Sequence, residues 1–470
     1  MTMVILILLV AFVLRLVVLD QSLWLDEAIN VNVARSLDFK SLIFNYTLSD
    51  FHPPLYHLIL KSWILFFGSS EIFVRLPSVI LGTATVGLVY LIGKKLFETK
   101  TALIASTLMA TGPLAIYYSQ EARMYMLATF LTAVSVYFFI SILKKESVVT
   151  WFGFIVSTSV LLYSDYLPYL VIPSYILYLI FFRKKISKFT LKAFIPSLIL
   201  IFFLTLPWLL VFPKQFQAGL STAAASPTWA QVVGSPDPKN LLLVPVKFTI
   251  GRISHENDLT FALIFLPVAV FVSFLLVFSL MRLSPLRSFL WFWLVVPIFL
   301  AFIISFYVPI FAYFRLIFVL PAFYLLMASA INTINWTPLV RLLLTFALAI
   351  NLVSTIIYYT NPRFKREDWR AATEFVHGLQ TPKSLVLFLA PYSLAPFDHY
   401  NQGKLKTAGA LGLEDINVQT ANADRVFLFQ YLSGINDPQG EVFEKLSKLG
   451  FVNSKTQDFP GVGFVYVFEK

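Results

Sequence analysis

Long apolar runs alternate with short polar breaks along the first three quarters of the chain, and that alternation carries the first inference. The runs occupy about residues 4–19, 72–92 and 102–118, then continue to Lys144-Lys145, Tyr163, Arg183-Lys184-Lys185 and 211. Later runs end near 282–287, Tyr307, Ile334 and Tyr359. Runs of roughly 18 or more apolar residues are long enough to cross a bilayer as helices. Even-numbered runs end in lysine or arginine and odd-numbered ends carry few. This pattern predicts a cytoplasmic N-terminus, odd-numbered ends outside, and about eleven spans. Residues 1–19 lack a basic start and a small-residue cleavage site, so they are expected to remain as the first span.

Three polar stretches break the pattern. The first, residues 20–70, is predicted to hold a short helix over 27–37, with Asp26 at or near its N-terminus. Pro53-Pro54 suit the opening of a second helix over 55–67, too short to span and expected to lie in the membrane interface. The second stretch, 212–258, reads as a long external polar loop. From residue 361 onward the pattern is that of a soluble domain. Helices are predicted over 369–379 and 441–449, and strands over 385–389, 426–430, 451–455 and 463–468, the last two joined at Pro460-Gly461. The expected organisation is a membrane domain over 1–360 and a small external α/β domain over 361–470.

Composition sharpens this picture. The 470 residues are 58% hydrophobic and 17% aromatic, with 48 Phe, which excludes an ordinary soluble core. The net charge of +11 points to cytoplasmic loops rather than to nucleic acid, because lysine and arginine sit in short loops on one side. There are no cysteines, so disulfides and thiolate metal sites are excluded.

With only 13% charged residues, those at span ends stand out. Asp26-Glu27 allows two readings: a carboxylate that takes a proton from an attacking hydroxyl, or acids that cap and complement a helix N-terminus. Asp50 and His52 offer an oxygen and a nitrogen two residues apart, a possible divalent-metal pair completed by Asp26 or Glu27. Their alternative is polarising the start of the interfacial helix. Arg15, Arg75, Arg123 and Arg315 lie in or at external span ends, where an arginine costs a few kcal/mol unless paired or snorkelling. Guanidinium matches phosphate oxygens with two parallel bonds. Asp165 closes the fifth run, either as a site residue or as a capped terminus. His255-Glu256-Asn257-Asp258 allows added substrate contacts, or solvated loop polarity as the simpler account. There is no Walker or dinucleotide motif to cradle a nucleotide.

Trp24-Leu25-Asp26-Glu27-Ala28, His52-Pro53-Pro54-Leu55-Tyr56 and Phe67-Gly68-x-x-Glu71 with Arg75-Leu76-Pro77-Ser78 form an ordered set. Together with residues 118–125, Phe314-Arg315 before Pro321, and Asp368-Trp369-Arg370, the set resembles the polyprenyl-phosphate-sugar-dependent glycosyltransferases of the GT-C fold. These include the protein O-mannosyltransferases and the aminoarabinose transferases of lipid A. The resemblance implies an α-helical polytopic membrane protein and inverting transfer from a lipid-phosphate sugar to an external protein, lipid or glycan. It implies a catalytic base at Asp26, with Glu27 beside it. Substrate contacts are expected at His52, Arg75, Glu121, Arg123, Tyr125, Asp165 and Arg315. No cofactor is required beyond the possible metal at Asp50 and His52. The pattern departs from the family at residues 163–166, where relatives often carry His, and at Arg315-Leu316, where they often carry Arg-Tyr. A transporter or lipid flippase would also explain spans and buried arginines, but not the acid-rich loop or the appended domain, and a non-catalytic scaffold predicts no effect of Asp26→Asn.

Overall fold

The computed structural model describes residues 2–225, 234, 236–282, 284–410 and 412–470. Part of the expected second polar loop, 226–233 and 235, lies outside the described residues. The chain is a multi-pass α-helical membrane protein that divides into two compact units.

The first unit comprises Met1–Leu19, Asp38–Phe66 and Arg75–Thr360. Seven described helices are long and apolar enough to cross a membrane, among them Glu71–Leu96, Tyr125–Lys144 and Thr337–Thr360. The expected third span is broken: Thr99–Thr111 and Pro113–Ser119 meet at an angle of 57°. Thr2–Leu16, Val148–Leu162 and Leu167–Phe181, at the places of the expected first, fifth and sixth spans, are apolar but shorter. The expected eleven spans are therefore seven of full length, one broken and three short.

The break has a local cause. Proline has no N–H to continue a helix and suits a first helical position, which Pro113 takes with Gly112 before it. Carbonyls freed inside an apolar medium must find donors. Arg15 supplies them, its Nη1 donating to Ala110 O at 3.1 Å and its Nη2 to Met109 O at 3.4 Å. Its Nε donates to Ser119 Oγ at 3.0 Å. Asn351 Nδ2 adds bonds to Leu108 O and Thr111 Oγ1, each 3.1 Å. A side chain at position 112 would collide with the Tyr324 hydroxyl.

The stretch read as a polar loop over 212–258 contains two helices, Phe212–Ala225 and Pro238–Ile250. The second buries Val244, Val246, Phe248 and Ile250. At 13 residues, with Pro245 and Lys247 inside it, its apolar run is too short and interrupted to be read as a span.

The second unit comprises Asp20–Leu37, Phe67–Val74 and Asn361–Lys470. Its sheet has strands β1 Ser384–Phe388, β2 Lys406–Gly409, β3 Arg425–Phe429, β4 Val452–Phe459 and β5 Gly463–Glu469, in the order β2-β1-β3-β5-β4. β1 runs parallel to β2 and β3, while β5 is antiparallel to β3 and β4. The interior strand β1, Ser-Leu-Val-Leu-Phe, is buried at every position, as a strand covered on both faces requires. One face packs Val386, Phe388, Phe427 and Phe429 against Trp369, Ala372 and Val376 of the helix Trp369–Leu379. The other packs Leu385, Leu387, Val426 and Leu428 against Val442 and Leu446 of the helix Glu441–Lys448. Exposed, polar β4 forms one edge. The expected strands and helices are all present, with β2 and the helices Ala395–Asn401 and Leu413–Thr420 in addition.

Candidate active site

In the second unit, Asp26 and Glu27 fall in the first turn of the helix Leu25–Ser36, where negative charge meets the positive helix end. Neither is the cap. The cap residue is Trp24, and its side chain makes no capping bond. The Glu367 carboxyl accepts from the Leu25 N–H instead, so the chain junction more than 300 residues away caps the helix that carries Asp26. Glu367 is itself held by Trp369 Nε1 at 2.6 Å and Tyr431 Oη at 2.8 Å. Burial, opposed by those two donors and reinforced by the Asp26 charge, pushes its carboxyl up to about 7. Gly461, at φ +74°, lets the Pro460-Gly461 turn lie against the Glu367 backbone, where a Cβ would come within 2.9 Å of its Cα.

Glu27 is fully buried, with Arg366 Nη1 3.8 Å from its Oε2. The Arg366 N–H donates to Gln21 Oε1 at 2.8 Å, and the Arg370 N–H to Ser22 Oγ at 3.2 Å. Residues 366–370 thus clamp residues 21–27, leaving Asp26 partly exposed.

In the first unit, Asp50 lies between two imidazoles. Its Oδ2 is 3.2 Å from His57 Nε2 and 3.5 Å from His52 Nδ1. Burial alone would raise this carboxyl, but His52 and His57 together outweigh it and hold Asp50 far below the usual carboxylate range. Gln215 anchors the segment. Its Nε2 donates to His52 O at 3.0 Å and also to Thr47 O, and its Oε1 accepts from the Tyr166 hydroxyl. Trp208 Nε1 donates to the same hydroxyl at 3.1 Å, and Asp165 Oδ1 accepts from the Tyr166 N–H at 2.7 Å. Among the described residues no three His, Asp or Glu side chains are grouped so as to hold a metal ion. Asp50, His52 and His57 nevertheless stand side by side, the two imidazoles facing one carboxylate oxygen.

The cations gather on aromatic rings. Buried Arg123 lies over the Tyr125 ring at 5.7 Å and Arg315 over Phe314 at 5.9 Å. Phe314 stacks on Tyr118 at 5.9 Å and meets Tyr125 edge-on, so residues 118–125 and 314–315 form one neighbourhood. Arg252 is exposed. It lies over the Tyr117 ring at 4.8 Å and donates to the Tyr117 hydroxyl at 2.6 Å. Buried Glu121 lies within its electrostatic reach. Lys247 donates to Ile253 O at 2.6 Å and lies over the rings of Phe261 and Tyr313. Burial, with Arg252 beside it, pushes Lys247 down to about 8, so a bound anion would be expected to bring it back up. Arg75 is fully buried and donates to Leu19 O at 2.8 Å.

The structure therefore gathers Glu121, Arg123, Tyr125 and Arg315, pairs Asp50 with His52, and sets Asp26 and Glu27 among residues of the second unit. Arg366, Glu367, Lys247, Arg252 and Gln215 were not singled out from sequence. Glu367 had one signal, its place immediately before Asp368-Trp369-Arg370. Arg252 and Lys247 had another, two cations flanking a short apolar run.

Residues 51–210 match the family described as dolichyl-phosphate-mannose-protein mannosyltransferase. No curated protein is similar in sequence at a significant level. Among solved structures, the chain resembles ArnT from Cupriavidus metallidurans in the apo state, with TM-score 0.60 and 12% identity over 99% of this chain and 97% of that one. The same protein bound to undecaprenyl phosphate gives TM-score 0.60 and 13% identity over the same shares. The archaeal oligosaccharyltransferase AglB from Archaeoglobus fulgidus, in complex with an inhibitory peptide and a dolichol-phosphate, gives 0.55 and 12% over 98% of this chain and 74% of that one. The chain has the fold of the membrane-embedded GT-C glycosyltransferases, and over residues 51–210 it carries the sequence pattern of the mannosyltransferase family.

Proposed function

We propose that this protein is an integral membrane glycosyltransferase that moves a sugar from a polyprenyl-phosphate carrier to an acceptor outside the membrane, with inversion at the anomeric carbon. Asp26 takes the proton from the acceptor hydroxyl or amine as its heteroatom attacks that carbon. The bond from the carbon to the carrier phosphate breaks, and the phosphate leaves with the bonding pair. Glu27 and Glu367 hold the helix that presents Asp26. Arg123, Arg315, Arg252 and Lys247 neutralise the departing monophosphate, a modest charge that fixed cations stabilise where it develops. The N-terminus lies in the cytoplasm, and the first polar stretch and the C-terminal domain lie outside.

The observation that carries this reading is the fold likeness over 99% of the chain to a structure bound to undecaprenyl phosphate. The partial exposure of Asp26 in an otherwise clamped segment supports its role as base. The test is donor use by the purified chain. Polyprenyl-phosphate sugars are expected to release polyprenyl phosphate in the presence of envelope extract as acceptor, and nucleotide sugars to remain intact. Consumption of nucleotide sugars alone contradicts the reading. A chelator arm addresses metal, because undiminished turnover in EDTA sinks a catalytic role for Asp50 and His52 as ligands.

A further inference from the structure

A second feature of the soluble-domain unit has no part in the chemistry above. A cavity of about 380 Å³ is lined by Arg35, Ser69, Ser70, Glu71, Arg370, His399, Tyr400 and Gln402. That volume lies within the range of sites for small ligands, roughly 300–1,000 Å³. Its chemistry narrows the ligand.

Arg370 is committed. Its Nη2 is 2.5 Å from Glu71 Oε1 and 3.0 Å from Asp20 O. Tyr400 is committed too, its hydroxyl donating to Glu71 Oε1 at 2.9 Å and accepting from the Leu23 N–H at 2.9 Å. The state of His399 follows from its neighbours. Asn32 Nδ2 donates to Ala395 O at 2.9 Å, which fixes Asn32 Oδ1 as an acceptor. That oxygen is 3.0 Å from His399 Nδ1, so Nδ1 carries the proton and, in the neutral ring, Nε2 is left as an acceptor. Burial, with Arg35 nearby, pushes His399 down to about 4, in keeping with a neutral ring. The cavity therefore offers the exposed Arg35 guanidinium beside the committed Arg370, a neutral imidazole acceptor, two hydroxyls and an amide. Two arginines repel a metal cation, and an apolar ligand would strand the polar groups. A polyhydroxylated ligand fits, because each hydroxyl both donates and accepts.

We propose that this cavity holds an acidic sugar unit of the acceptor, with Arg35 pairing its carboxylate or phosphate and His399, Ser69, Ser70 and Gln402 meeting its hydroxyls. The word acceptor rests on the transferase reading, but the saccharide site does not. The acceptor is thereby a glycan or glycolipid rather than a bare peptide.

The test uses the full chain, purified in a detergent without a sugar headgroup, and reads saturation-transfer NMR with glucuronate, glucose and acetate as probes. Glucuronate is expected to bind at least fivefold more tightly than glucose, and acetate not to bind detectably. Arg35→Ala, at an exposed position, is expected to bring glucuronate down to the level of glucose. Gln402 adopts φ +51°, so Gln402→Gly suits the backbone and is expected to weaken both sugars. Absence of glucuronate binding to the wild-type chain overturns the proposal. So does acetate binding as tightly as glucuronate, glucose binding as tightly as glucuronate, or an unchanged Arg35→Ala variant. Failure of the transferase reading shows separately, as undiminished transfer by Asp26→Asn, and leaves these binding results standing.

Discussion

The segment around Asp50 and the segment around Asp26 both belong to the polar stretch after the first helix, yet their neighbours differ in kind, imidazoles at Asp50 and carboxyls at Asp26. Two imidazoles hold Asp50 as an anion. Beside Asp26, burial pushes the Glu367 carboxyl up to about 7, where it keeps a proton through much of the acid range. A general base must gain and then release a proton near working pH. A carboxylate fixed as an anion is poorly suited to that cycle and well suited to orienting imidazoles. The two acids look alike in sequence, and their neighbours separate them.

The comparison is broken most severely through the clamp. Removing one partner of a buried ion pair strands the other charge and costs about 3–5 kcal/mol. Arg366→Ala, which removes the cation 3.8 Å from buried Glu27, is expected to lower Tm by several degrees in detergent, whereas Lys448→Ala, at an exposed pair, is expected to leave Tm unchanged. Equal shifts for the two variants contradict the clamp.

A smaller effect tests the cation cluster. Arg252→Gln is expected to raise the donor KM about tenfold by removing one charge-assisted contact. An unchanged KM removes Arg252 from the donor site.

The smallest effect is a pH dependence. The Glu367 carboxyl is raised from 4.5 to about 7 on folding, so its contribution to stability is complete below pH 4.5 and is lost as pH rises through 7. Glu367→Gln removes that slope. The Tm of the wild-type chain is expected to fall relative to the variant between pH 4.5 and 7, and parallel curves over that interval contradict the assignment.

The sequence made the membrane class legible because crossing a bilayer needs long apolar runs, and it made the helix Trp369–Leu379 legible to the residue. The break at Gly112-Pro113 was written in a dipeptide, but the apolar run through it hid the bend. The helix Pro238–Ile250 was hidden by its own Pro245 and Lys247. The clamp was out of reach for another reason. Arg366 and Gln21 are separated by 345 positions, and no local pattern encodes a bond that only the folded chain brings together. Asp26 itself was visible, but its standing as something other than a cap depended on Glu367 taking the capping role.

The most direct measurement is the rate of sugar transfer from a polyprenyl-phosphate donor by Asp26→Asn and Asp50→Asn beside the wild-type chain, each variant first shown to be folded by its Tm. Removing a general base lowers rates by about 10²–10⁴-fold. The account predicts a loss of that size for Asp26→Asn and a loss of less than about tenfold for Asp50→Asn, whose carboxylate orients imidazoles rather than moving a proton. Undiminished transfer by a folded Asp26→Asn variant, or the larger loss falling on Asp50→Asn, would contradict it.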